Sequence, residues 1–159
     1  MTVKVGDKIP SGSLTFLGAD GPESTTTDEL FNNKKVVMFA VPGAFTPTCS
    51  ESHLPSFVSN QDKILAKGVD QVVCLSVNDP FVMGAWGKAQ NAGKILMAAD
   101  GSATWTKALG LELDLVERGL GIRSQRYSMI VDNGAITHLN VEDGPKYEAS
   151  SAEKILEQL

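Results

Sequence analysis

Of the two cysteines and two histidines in these 159 residues, one thiol stands where its position alone would make it reactive. Cys49 closes the string Val41-Pro42-Gly43-Ala44-Phe45-Thr46-Pro47-Thr48-Cys49. Thr46 followed by Pro47 predicts a helix start. Threonine is a good N-cap, and proline suits the first helical position, where its missing N–H would be unpaired anyway. Cys49 then falls at the third helical position. The apolar run from Val36 to Val41 predicts a buried strand, so the sulfur sits where a strand hands over to a helix. Unpaired N–H groups and the positive end of the helix dipole favour an anion there. A thiol held as thiolate is a nucleophile.

Charge state alone is a small effect. Lowering a thiol from its usual pKa of about 8.5 to about 6 raises the thiolate fraction at neutral pH roughly 30-fold, or about 2 kcal/mol. Enzymes commonly reach about 10⁶-fold or more, so other groups must stabilise the transition state. The Thr46 hydroxyl lies three residues before the sulfur, as a donor or as a plain N-cap. Pro42 and Pro47 bracket the loop as a stiff apolar collar, or as ordinary turn prolines. The only arginines are Arg118, Arg123 and Arg126. Arg126 opens an apolar strand, and from a strand end an arginine can reach a helix N-terminus; the alternative is a solvated surface charge. His53 is four residues after Cys49 on the same helix face, which raises a Cys–His hydrolase. That chemistry also needs an oriented base and an oxyanion hole, and no partner for His53 is evident. His138 sits in a later strand. Two His and two Cys show no metal-ligand spacing.

Residues 1–34 are turn-rich, with a loop at Asp20-Gly21-Pro22 and Thr27 capping a short helix over 28–32. A strand over 36–41 leads to a helix from Pro47 to about Lys67, which Pro55 should bend or interrupt. A second buried strand spans 69–77. Asn78-Asp79-Pro80 caps a helix to about Asn91, a short strand covers 95–98, and Asp100-Gly101-Ser102 opens a helix to about Leu109. Two strands, 126–131 and 135–141, flank Asp132-Asn133-Gly134, a strong hairpin signal. Ser150-Ser151-Ala152-Glu153 offers a capping box for the last helix. This order predicts one α/β domain over residues 1–159, with a central mixed sheet, parallel at the crossovers and antiparallel at the hairpin.

A net charge of -5 and the lack of a basic, aromatic-interleaved cluster argue against nucleic acid or an anionic membrane as partner. No apolar stretch approaches a membrane span of about 20 residues, and the first ten residues lack the apolar core of a signal peptide. Two cysteines suit a reducing compartment, and the expected location is cytoplasmic.

The pattern Pro42-x-x-x-Thr46-x-x-Cys49 resembles the active-site motif of the peroxiredoxins, the thiol peroxidases. Pro42 through Ser50 is similar to the type II, peroxiredoxin-five-like (atypical) branch, as are Ser76-Val77-Asn78-Asp79-Pro80-Phe81-Val82-Met83 and Ala99-Asp100-Gly101-Ser102. The resemblance implies a thioredoxin-like fold with an N-terminal extension. It implies that Cys49 is the peroxidatic cysteine, that Thr46 hydrogen-bonds the sulfur and the peroxide, and that Arg126 holds the thiolate and the reacting oxygen. Pro42 would shield the site, and Gly43 would support it. The implied reaction reduces hydrogen peroxide and organic hydroperoxides through a cysteine sulfenic acid, with no metal, flavin or haem. A homodimer is also implied, with Phe45, Phe81 and Trp86 as interface or core residues.

Some atypical members carry a resolving cysteine near the last helix, where this chain reads Ala149-Ser150-Ser151-Ala152. Cys74, mid-strand, is the remaining thiol, either resolving or buried and inert. The expectation is an external thiol: glutathione with glutaredoxin first, thioredoxin second. Gly119-Leu120-Gly121 is read as an ordinary loop. The competing functions are a thioredoxin-like disulfide reductase, which would need a second cysteine where Thr46 stands, and a non-catalytic peroxide sensor or binding protein.

Overall fold

The computed structural model describes residues 1–159. In chain order the elements are β1 (Ser13–Gly18), β2 (Gly21–Thr26), α1 (Thr27–Phe31), β3 (Lys35–Val41), α2 (Leu54–Ala66), β4 (Gln71–Ser76), α3 (Pro80–Ala89), β5 (Leu96–Ala99), α4 (Thr104–Leu109), β6 (Glu112–Leu115), β7 (Gly121–Ser124), β8 (Tyr127–Asp132), β9 (Ala135–Val141) and α5 (Ala152–Gln158). Seven strands form one mixed sheet ordered β2-β1-β5-β4-β3-β8-β9. β3, β4 and β5 run parallel, while β8 and β1 flank them antiparallel.

β3 explains the layering. Val37, Phe39 and Val41 point to one face and Val36, Met38 and Ala40 to the other, and all six are fully buried. A strand that is apolar on both faces must be covered on both. Phe57 and Ile64 of α2, Trp86 of α3 and Ile155 of α5 cover the first face. Phe31 of α1 with Trp105 and Leu109 of α4 cover the second.

The predicted hairpin is present, with Asn133 and Gly134 at φ of 49° and 80° in its two-residue loop, the left-handed pair that the tight hairpin turn requires. The turn-rich reading of residues 1–34 needs correction: β1 and β2 are a hairpin that extends the sheet, β1 pairing with β5. Its outer strand reads Gly-Pro-Glu-Ser-Thr-Thr, polar because it is a solvated edge, so apolar periodicity could not reveal it. Thr26, not Thr27, caps α1 by accepting from Glu29 N–H. Residues 112–124 form a separate two-stranded ribbon, β6 with β7; Gly119 and Leu120 lie in its connection and Gly121 opens β7. At the last helix Ser151, not Ser150, is the N-cap, accepting from Lys154 N–H.

Candidate active site

β3 ends at Val41, and the chain turns over Gly43 to Thr46, where Thr46 N–H approaches Gly43 O at 3.4 Å. Phe45 takes φ of +66°, a left-handed conformation that costs a bulky residue on the order of 1 kcal/mol. Gly43 leaves room for the Arg123 guanidinium. A Cβ there would come within 2.7 Å of Arg123 Nη1 and 3.1 Å of Thr46 Cγ2. Arg123 braces this loop by donating to Pro42 O at 3.3 Å and to Leu120 O at 2.8 Å. Sequence reasoning missed that role, because a loop-bracing arginine has no local signature.

The helix starts at Pro47, but the Thr46 hydroxyl does not cap it. Oγ1 donates to Gly43 O at 2.6 Å, which closes the turn and leaves its lone pairs free to accept. Ser50 N–H bonds Thr46 O at 2.9 Å. Residues Cys49–His53 then form one π-helical turn, with Leu54 N–H bonding Cys49 O. Pro55 supplies the reason: it has no N–H to continue the ordinary ladder, and the register slips by one residue just before it. Such bulges commonly re-aim side chains at functional sites. Trp86 is fully buried, and its indole N–H donates to Ser50 Oγ at 3.0 Å, holding the first turn against α3. Trp86 is therefore a core residue and no part of the surface.

The wider turn brings Cys49 and His53 to one cation. Arg126, immediately before β8, donates from Nη2 to Cys49 Sγ at 3.1 Å and from Nη1 to His53 Nδ1 at 2.9 Å. A guanidinium only donates, so Nδ1 must accept, and Nε2 carries the proton that it donates to Ser150 O at 2.9 Å. Cys49 and His53 are fully buried and Arg126 is 8% exposed. Phe39, Phe57 and Tyr147 pack around the imidazole with centroids 5.1, 5.7 and 5.1 Å away. Burial, and then the Arg126 charge, depress the His53 pKa to about 3. Both ring nitrogens are committed and the ring is neutral. His53 is thus unable to take a proton from Cys49, and the hydrolase reading fails on geometry.

Above these groups lies a cleft of about 420 Å³ whose walls include Pro42, Thr46, Pro47, Leu113, Arg118 and Arg126. The sulfur lies beneath it, next to the guanidinium. A small polar molecule in the cleft can reach Thr46 and Arg126. No group of three or more His, Cys, Asp or Glu side chains is placed to hold a metal. Cys74, on β4, is fully buried in the same core layer as Cys49, and both thiols are free. Burial, with the Cys49 sulfur nearby, pushes the Cys74 thiol up, which leaves it a poor nucleophile.

The redoxin family profile matches residues 4–156. Peroxiredoxin-2D of Arabidopsis thaliana is 47% identical over 159 residues, covering 99% of this chain and 98% of its own. Peroxiredoxin-2C of Oryza sativa subsp. japonica is 50% identical with the same coverage. Reduced Prx3 of Vibrio vulnificus, solved in complex with H₂O₂, superposes with a TM-score of 0.96 at 54% identity, covering 99% of both chains. The architecture is thus the thioredoxin-like one that the peroxiredoxins share, and the chain belongs to the peroxiredoxin family of thiol-dependent peroxidases.

Proposed function

We propose that Cys49 is the peroxidatic thiolate and that Arg126 and Thr46 are its catalytic partners. The single observation that carries this assignment is the 3.1 Å contact between Arg126 Nη2 and Cys49 Sγ beneath the cleft. The thiolate attacks one peroxide oxygen. An S–O bond forms as the O–O bond breaks, and the electron pair leaves with the second oxygen, which takes a proton to become water or an alcohol. Sulfur is oxidised to sulfenic acid and the peroxide is reduced. Charge grows on the departing oxygen, where Arg126 can stabilise it more than in the ground state. Thr46 Oγ1 directs its hydrogen to Gly43 O, so its lone pairs are set to accept from the hydroperoxide O–H and orient it.

An external thiol restores the enzyme, with glutathione and glutaredoxin ahead of thioredoxin. It displaces the sulfenic oxygen as water, forming a mixed disulfide that a second thiol cleaves. Support comes from the burial of Cys74 in mid-strand and from serines at positions 150 and 151. A homodimer fits the exposed rings of Phe45 and Phe81, 57% and 61% accessible beside the cleft loop and on α3. A thiol-consuming cycle with two unpaired cysteines fits a reducing, cytoplasmic setting.

The decisive experiment follows peroxide consumption with dithiothreitol, glutathione plus glutaredoxin, and thioredoxin in parallel. Rapid turnover that disappears in Cys49→Ser is expected. Full activity in that variant would overturn the assignment. Sedimentation should show a dimer that Phe81→Glu weakens.

A further inference from the structure

The β8–β9 hairpin places Glu142 one residue past β9, and its N–H donates to Arg126 O at 2.9 Å. The residue is only 7% exposed, yet it pairs with no lysine or arginine. Instead it is wrapped by the chain that follows. Oε2 accepts from Glu148 N–H at 3.0 Å, Ala149 N–H at 2.9 Å, Ser150 N–H at 2.8 Å and Ser150 Oγ at 2.6 Å, while Oε1 also lies 3.0 Å from Glu148 N. Burial alone would raise this carboxyl. The Ser150 hydroxyl and the three amides outweigh it and hold Glu142 below its ordinary value, ionised at neutral pH. Few devices fix a loop so firmly: a charged acceptor bonded to consecutive backbone donors, each bond about twice the strength of a neutral one.

The carbonyl of that same Ser150 receives the His53 Nε2–H, and His53 Nδ1 receives Arg126 Nη1. An unbroken set of hydrogen bonds therefore runs from Glu142 through Ser150 and His53 to Arg126 and the sulfur. Tyr147 of the same strap packs at a tilt against His53 and donates to Ser56 Oγ at 3.0 Å, closing the strap onto α2.

We infer that Glu142 is a positioning residue for the peroxidase site: by fastening residues 148–150 it sets the His53 ring, and through it the pose of Arg126 against Cys49. This rests on the Cys49–Arg126 reading of the site. It also explains why Ser150 is spent on Glu142 and not on capping α5.

The test measures kcat/KM for peroxide and the thiolate ultraviolet absorbance at neutral pH in Glu142→Ala, His53→Ala and the double variant, with circular dichroism to verify folding. Glu142→Ala should lower kcat/KM about tenfold and lower the thiolate fraction. The sign is diagnostic. Removing a nearby negative charge would by itself raise the thiolate fraction, so a fall reports the displacement of Arg126. In the His53→Ala background the Glu142 substitution should cause no further loss, because the two act in series. Glu142→Gln, which keeps one oxygen for the nest, should recover part of the rate. It serves as the reporter, with the same expected signs, if Glu142→Ala does not fold. A thiolate fraction that is unchanged or raised, or losses that multiply in the double variant, would overturn the proposal. Activity of the unmodified protein that does not depend on Cys49 would instead overturn the underlying site reading.

Discussion

His53 accepts a hydrogen bond from Arg126 at 2.9 Å through Nδ1 and does so as a neutral ring. The pair divides labour: the histidine orients and the arginine carries the charge. Arg126 thereby spends its two terminal nitrogens on two separate partners 77 and 73 residues away in the chain.

A lysine at 126 offers one point charge where the site uses a planar fork. Arg126→Lys should lower kcat/KM for peroxide by about 10²-fold or more and leave the secondary structure unchanged. Stopped-flow peroxide kinetics with circular dichroism check this. A rate within a factor of two or three of the parent would remove Arg126 from the mechanism.

His53 gives a pH signature in stability. In the unfolded chain it titrates near its ordinary value of 6.5, and in the folded protein at about 3. Between these values the unfolded state binds a proton that the folded state does not. The stabilisation is complete above pH 6.5 and is lost as pH falls, by about 1.4 kcal/mol per unit. Urea unfolding at neutral pH and at pH 5 should show about 2 kcal/mol of loss from this residue, absent in His53→Gln. Equal pH dependence in the two proteins would contradict the buried neutral ring.

Thr46 Oγ1 donates its hydrogen bond to Gly43 O, and its lone pairs are the proposed acceptors for the hydroperoxide. Thr46→Ser should retain most activity. Thr46→Val should lose about 10–100-fold in kcat/KM and about 1 kcal/mol of stability with the lost hydrogen bond. Steady-state kinetics and thermal melting separate the two effects. Equal activity in the valine and serine variants would assign Thr46 to turn closure alone.

Cys74 stands in mid-strand with its thiol buried. Cys74→Ala should turn over with external thiols at close to the parent rate, at a cost of about 1 kcal/mol or more in stability from the lost sulfur. After one equivalent of peroxide, non-reducing mass spectrometry should find sulfenic acid, or a mixed disulfide when thiol is added. An intramolecular Cys49–Cys74 bond as the main product would overturn external resolution.

Much of this molecule could be read locally. Thr46-Pro47 ahead of Cys49 states a helix start within four residues, Asn133-Gly134 states a tight turn, and the β3 run states a strand covered on both faces. These signals arise between neighbours, so one segment contains them whole. Where local rules failed, something distant had intervened. The outer strand β2 is polar because it is an edge, a fact about its place in the sheet. The π turn needed Pro55, visible in sequence, but the choice between a bend and a bulge depended on packing around Cys49 and Trp86. Ser150 looked like a helix cap until Glu142 claimed it.

By itself, then, the sequence determined that Cys49 sits at a strand-to-helix junction just after Thr46-Pro47, and that an arginine opens a strand of the same sheet. Only the tertiary structure decided that Arg126 reaches the sulfur, that His53 serves the arginine and not the thiol, and that Glu142 and Ser150 belong to the same set of hydrogen bonds. The reason is physical. Helix and turn signals are short-range steric and capping preferences, whereas a buried charge takes its role from whichever partners the chain's return brings within hydrogen-bonding distance.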